Sequence, residues 1–170
     1  MKVLLVRHAI ALDRETPGIA DALRPLTEEG VQKFEKSARA IAALVTADLV
    51  FASPLLRAKQ TAEILVRQWP NVSLKEVDSL GTGSRTQFEA SLAKLSSDAV
   101  IAAVGHEPHV SDWTAEWLGS SRGEAFAFKK GGVALIEFDG AVTTRSKVAL
   151  RSGWSKQGNR RCAANGWKFE

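Results

Sequence analysis

Arg7 and His8 stand directly after the apolar run Val3-Leu4-Leu5-Val6. A neutral imidazole carries a lone pair and can act as a nucleophile. An arginine beside it supplies a planar cationic fork suited to phosphate. The pair therefore points to attack on phosphorus by a histidine, although a histidine at a strand end is commonly just a hydrogen-bonded residue. Two further segments share the same setting. Ser53-Pro54-Leu55-Leu56-Arg57 follows the apolar residues 49–52, and Gly105-His106-Glu107-Pro108 follows the wholly apolar 99–104. Parallel strands present their carboxyl ends on one edge of a sheet, so residues distant in sequence converge there. Arg57 falls in the first turn of the helix expected after Pro54, where free backbone N–H groups also face an anion. Two arginines and two histidines around one point form a dianion site, with Ser53 and Glu107 beside it as substrate contacts.

The elements that must position these groups are legible from periodicity. Residues 2–6, 49–52, 72–77 and 99–104 read as strands, the last apolar throughout and hence central. Thr27 is a good N-cap, with Glu28 and Glu29 in the first turn of a helix. Val31, Phe34, Ala38, Ile41 and Val45 recur at three- and four-residue steps and mark its buried face, so the helix should run to 46–48. Residues 55–68, 86–95 and 109–118 are further helices, and 133–138 and 148–150 are late strands. Residues 7–26 and 78–84 are loops. Alternating strands and helices predict an α/β fold, a mainly parallel sheet covered on both faces. Residues 1–150 make one domain, and 151–170 form an appended basic segment whose fold the pattern does not give.

Composition bounds the remaining possibilities. The 170-residue chain is long enough for one full core and too short for two comfortable ones. The net charge of +4 is unevenly placed. Residues 1–139 carry 16 Lys/Arg against 18 Asp/Glu, whereas 140–170 carry 7 basic residues and only Glu170. The basic character thus belongs to the C-terminal end, and no aromatic-basic motif accompanies it to indicate nucleic acid. No apolar stretch is long enough to span a bilayer. The single cysteine, Cys162, cannot close an internal disulfide, and no signal peptide is evident, so a cytoplasmic setting is expected.

Several signals are discounted. His106 and His109, with His8, have possible ligand spacing, but no cysteine or clustered carboxylate supports a metal. His109 reads as a helix-start residue at the rim of the site. Gly81-x-Gly83 has Thr86 where a dinucleotide fingerprint needs its third glycine. Ser53 lacks the flanking glycines of a hydrolase nucleophile elbow. Trp113 and Trp117, four apart, read as helix packing.

Val6-Arg7-His8-Ala9, the segment Arg-Pro-Leu-Thr-Glu-Glu-Gly at 24–30, Ser-Pro-Leu-Leu-Arg-Ala-Lys-Gln-Thr-Ala at 53–62 and Val-Gly-His-Glu-Pro at 104–108 occur in that order. This series resembles the histidine phosphatase superfamily over residues 2–150, and within it the short SixA-type phosphohistidine phosphatases. The resemblance implies a three-layer α/β/α sandwich of phosphoglycerate mutase type. It also implies that His8 is the nucleophile and that Arg7, Arg57 and His106 hold the phosphoryl group, His106 being protonated while a dianion is bound. No cofactor or metal is expected. Relatives that cleave phosphate esters carry a mid-chain Glu or Asp as proton donor. The corresponding stretch 78–84 has only Asp78, at its start, with Glu107 as the other candidate donor or, equally, a helix cap. A phosphoprotein bearing phosphohistidine is the expected substrate and inorganic phosphate the product. The alternatives are a phosphatase of small phosphate esters and a noncatalytic phosphate-binding module. The segment 151–170, longer than in such relatives, is expected either to pack its tryptophans or to meet an acidic partner.

Overall fold

Successive residues of the first strand point to opposite faces of the sheet, and the sequence makes both faces apolar. In the computed structural model, which describes residues 1–120, 123–140, 142 and 148–154, β1 spans Lys2–Arg7. Its Leu4 and Val6 enter one core while Val3 and Leu5 enter the other. The remaining strands are β2 (Leu49–Ala52), β3 (Ser73–Glu76), β4 (Val100–Gly105), β5 (Val133–Phe138) and β6 (Val148–Trp154). The sheet order is β3-β2-β4-β1-β5-β6. The first four strands run parallel, β5 is antiparallel to β1, and β6 is antiparallel to β5. The mainly parallel, three-layer sandwich expected from the sequence is therefore present. β6 continues past Leu150 to Trp154, so the sheet takes in the start of the segment set apart in the sequence. The rest of the appended basic segment, residues 155–170, lies outside the described residues.

Two helices cover one face. α1 (Glu28–Ala42) is capped by Thr27, whose Oγ1 accepts the Gly30 N–H at 3.0 Å. It buries Phe34, Ala38 and Ile41 as the periodicity requires. It ends at Ala42, four residues short of the expected region: a turn at 43–44 follows, and Val45 beyond it points its carbonyl at the Trp69 indole N–H, accepting it at 3.1 Å. α2 (Leu56–Val66) packs through Ala58 and Ala62, both wholly buried, which lets it lie close to the strands.

The opposite face carries α4 (Arg85–Leu92) and α5 (His109–Trp117). Phe88 stacks on Trp113 at 5.2 Å between ring centroids, and Trp117 meets Phe138 edge-on at 5.1 Å. Both tryptophans are core, as their spacing implied. The stretch 78–84 is not simply a loop: α3 (Ser79–Thr82) forms a single turn within it. Its Gly81 lies where a Cβ would press on Ser53 Oγ and Pro54 at 3.2 and 3.3 Å. Four residues with weak helical periodicity cannot announce such a turn; its docking on Ser53-Pro54-Leu55 holds it.

Candidate active site

The parallel register brings the two histidine-bearing strand ends together. β1 and β4 pair from Lys2↔Val100 to Arg7↔Gly105, so His8 and His106 leave the sheet side by side. Their ring centroids are 5.0 Å apart. β2 lies on the other flank of β4, and the helix that follows it returns Arg57 to the same point. The convergence inferred from the sequence is thus realised for His8, Arg57, His106, Ser53 and Arg7.

His8 is buried and held in one orientation. Its Nδ1 lies 2.7 Å from the carbonyl oxygen of Ala9. A carbonyl only accepts, so Nδ1 bears the proton and Nε2 keeps its lone pair. Arg57 Nε donates toward that Nε2 at 3.3 Å. Burial pushes the His8 pKa down to about 3, assisted by His106, Arg57 and Arg7 and opposed by the Ala9 hydrogen bond. The loop carrying His8 is fastened to α2: the Ala9 N–H donates to Thr61 Oγ1 at 3.1 Å, and Thr61 donates to the Arg57 carbonyl at 2.6 Å. Gln60 Oε1 accepts the Leu26 N–H at 2.7 Å. The motif at 53–62 therefore supplies a cation and two ties for neighbouring loops.

His106 is held from its other end. Its Nε2 lies 2.8 Å from Ser53 Oγ, while its buried Nδ1 has no hydrogen-bond partner. Ser53 Oγ also accepts the Leu55 N–H at 3.3 Å, and both its own proton and its second lone pair remain available to His106 Nε2. Burial, then Arg57 and His109, push the His106 pKa down to about 4. His109 opens α5, and its ring lies against Gly83 and stacks toward Trp113 at 6.4 Å. Gly83 has φ +81°, and a Cβ there would strike the imidazole.

The arginines differ in their ties. Arg7 Nη1 donates to the Phe128 carbonyl, while its buried Nε has no partner. Glu107 Oε1 accepts from Ser111 Oγ and from the Phe128 N–H, each at 2.7 Å. Glu107 therefore holds the peptide segment that holds Arg7. Arg57 donates through Nη1 to the Asp21 carbonyl at 2.8 Å, and its Nη2 lies 3.3 Å from Asp21 Oδ2. Asp21 Oδ1 in turn accepts from Arg24 Nε at 3.0 Å and from Arg24 Nη2 at 2.8 Å. Arg24 is 5% exposed and also donates to the Leu12 carbonyl at 2.5 Å. In the sequence Asp21 lies in the 7–26 loop and Arg24 is only the first residue of the 24–30 motif. Their polar, Pro- and Gly-containing surroundings carry no periodicity that would have set them apart.

This arrangement presents a directed imidazole lone pair, cationic donors around it, and two buried nitrogens, Arg7 Nε and His106 Nδ1, without partners. Such a site can receive a phosphoryl group and take it onto nitrogen. Among the described residues, no group of three or more His, Cys, Asp or Glu side chains is placed to hold a metal ion.

The comparisons with known proteins agree with that chemistry. The family model described as histidine phosphatase superfamily (branch 1) matches residues 3–90. The chain belongs to the histidine phosphatase superfamily. Within it, the fold is similar to that of the protein histidine phosphatase SixA complexed with tungstate. That match has a TM-score of 0.74 and 25% identity, over 91% of this chain and 97% of the other. A SixA candidate from Nakamurella multipartitia matches with a TM-score of 0.75 over 90% and 94% of the two chains; at 23% identity it bears on the fold alone. An uncharacterized protein of Picosynechococcus sp. is 32% identical over 137 residues, 78% of this chain and 82% of its own.

Proposed function

We propose that the protein is a phosphatase that uses His8 as nucleophile and releases phosphate from phosphohistidine on a signalling protein. The observation that carries the reading is the Nδ1–Ala9 hydrogen bond, which leaves the Nε2 lone pair directed at the Arg57 edge of the site. In the first step Nε2 bonds to phosphorus while the P–N bond of the substrate breaks. The leaving imidazole departs neutral once its other nitrogen has taken a proton from solvent. Arg7, Arg57 and the Nδ1–H of His106 stabilise charge on the equatorial oxygens. A dianion against His106 opposes the effect of Arg57 and draws a second proton onto the ring. Water then attacks phosphorus, the P–Nε2 bond breaks, its electron pair returns to His8, and inorganic phosphate leaves.

The carboxylates around the site support a phosphoramidate substrate over an ester. An alkoxide leaves poorly unless an acid protonates it, whereas an imidazole is a much better leaving group. Asp21 is engaged by arginines, and Glu107 by Ser111 and Phe128. Asp78 is exposed before α3. Similarity to SixA structures favours the same substrate class.

The test is phosphate release from a phosphohistidine-bearing transfer domain, compared with a panel of phosphomonoesters, with His8→Ala as control. Fast release from the protein substrate alone, lost in His8→Ala, is expected. Turnover of esters with none of the protein substrate would overturn the assignment in favour of a metabolite phosphatase.

A further inference from the structure

Arg57 has two donor edges, and they face different partners. Its end-on edge, formed by Nη1 and Nη2, is taken by the carbonyl and the carboxylate of Asp21 at 2.8 and 3.3 Å. Its side-on edge begins at Nε, which lies 3.3 Å from His8 Nε2. A guanidinium is planar and rigid, so fixing one edge fixes the direction of the other. The remaining N–H of Nη2 on that side then accompanies Nε toward the nucleophile, a geometry matched to two phosphoryl oxygens.

Asp21 is itself immobilised. It lies in the short 3-10 turn Asp21–Leu23, an element too small to be rigid alone. Arg24 clamps its Oδ1 through Nε and Nη2, and Arg24 is anchored by the Leu12 carbonyl. Arg14, largely exposed, adds a third contact to Oδ1 at 3.3 Å. The series Leu12 carbonyl–Arg24–Asp21–Arg57 thus ends at His8 Nε2.

We infer that Asp21 is a positioning residue, which selects the Nε/Nη2 edge of Arg57 for the transferring phosphoryl group and depends on Arg24 to do so. This rests on the phosphatase reading above but not on the choice between phosphohistidine and ester, since either substrate passes the same phosphoryl group to His8. Asp21 touches neither the phosphoryl group nor the nucleophile. Its contribution therefore passes through Arg57 and vanishes when Arg57 can no longer present a fork.

A double-mutant cycle tests this, measuring kcat and KM for the native protein, Asp21→Ala, Arg57→Lys and the double variant on phosphohistidine protein and on para-nitrophenyl phosphate. Asp21→Ala is expected to lower kcat on the order of tenfold to a hundredfold, the scale set by misaligned groups. In the Arg57→Lys background the same change should cost less than about threefold, because a lysine has no second edge to direct. Asp21→Glu, which keeps a carboxylate, should recover part of kcat, and Arg24→Gln should reproduce a smaller fraction of the Asp21→Ala loss. Equal losses in the two backgrounds would overturn the inference and leave the phosphatase reading intact. A native protein that hydrolyses neither substrate would overturn both. Should Asp21→Ala fail to fold, the same cycle with Asp21→Asn decides between these outcomes.

Discussion

The carboxyl ends of β1 and β4 are neighbours in the sheet, each followed by a buried histidine, yet the two rings are fastened from opposite sides. His8 is tied through Nδ1 to the backbone and leaves Nε2 facing Arg57. His106 is tied through Nε2 to Ser53 and leaves Nδ1 without a partner. The first leaves a lone pair facing the site, and the second leaves a ring nitrogen that carries a proton once the ring is protonated. In the proposed reaction the same side chain serves as nucleophile on one strand and donor on the next, and its partner atom sets the face it presents.

Exchange of the nucleophile should produce the widest separation between the two ends. His8→Ala is expected to lose at least about 10⁴-fold in turnover and all covalent labelling. His106→Ala should lose about 10²–10³-fold, the scale of one lost donor to a developing charge, and should still form a phosphoenzyme. Rapid-quench detection of acid-labile phosphoprotein in both variants checks the contrast. Labelling in His8→Ala would move the nucleophile elsewhere.

Titration offers a second separation. Both rings have pKa values below the ordinary 6.5, at about 3 and about 4. The unfolded chain therefore binds protons that the folded one refuses, and stability falls as pH drops from about 6.5 toward 4. The two rings together should contribute a loss of a few kcal/mol over that window. Urea unfolding at stepped pH checks this, and His106→Asn should reduce the slope without removing it. A flat profile between pH 7 and 4 would contradict the burial argument for both rings.

The ties themselves give smaller effects. Thr61→Val removes the acceptor for the Ala9 N–H, leaving a buried donor unpaired at a cost of about 1–3 kcal/mol. Because that loop carries His8, kcat should fall with stability. Ser53→Ala frees His106 Nε2 and lets the ring turn, so a loss of about tenfold in kcat is expected with stability changed by about 1 kcal/mol. Steady-state kinetics beside thermal unfolding separates the two. An effect of Ser53→Ala equal to that of His106→Ala would show that Ser53 does more than hold the ring.

The legibility of the site followed the regular elements. β1, β2 and β4 are apolar runs bounded by turn residues, so their ends, and the residues just beyond them, were readable. Thr27 with two glutamates behind it marked the start of α1 for the same local reason. Trp113 and Trp117 showed their packing role by spacing alone. Less was readable wherever a residue acts through a distant partner. Nothing near Glu107 in sequence shows that its oxygen meets the Phe128 N–H, twenty-one residues on. Asp21 and α3 are of the same kind, short irregular pieces held by contacts rather than propensity.

What the sequence determined by itself was the chemistry available and the edge on which it gathers. Hydrophobic period sets strands and helices locally, and parallel connection then forces His8, Arg57 and His106 to one side. The states and aims of those groups come from contacts made only in the folded chain. The His8 tautomer depends on where one carbonyl lies, the His106 ring orientation on a hydroxyl fifty-three residues away, and the Arg57 edge on Asp21. Hydrogen-bond direction is a property of atoms in contact, and contacts between distant segments exist only once the chain has folded.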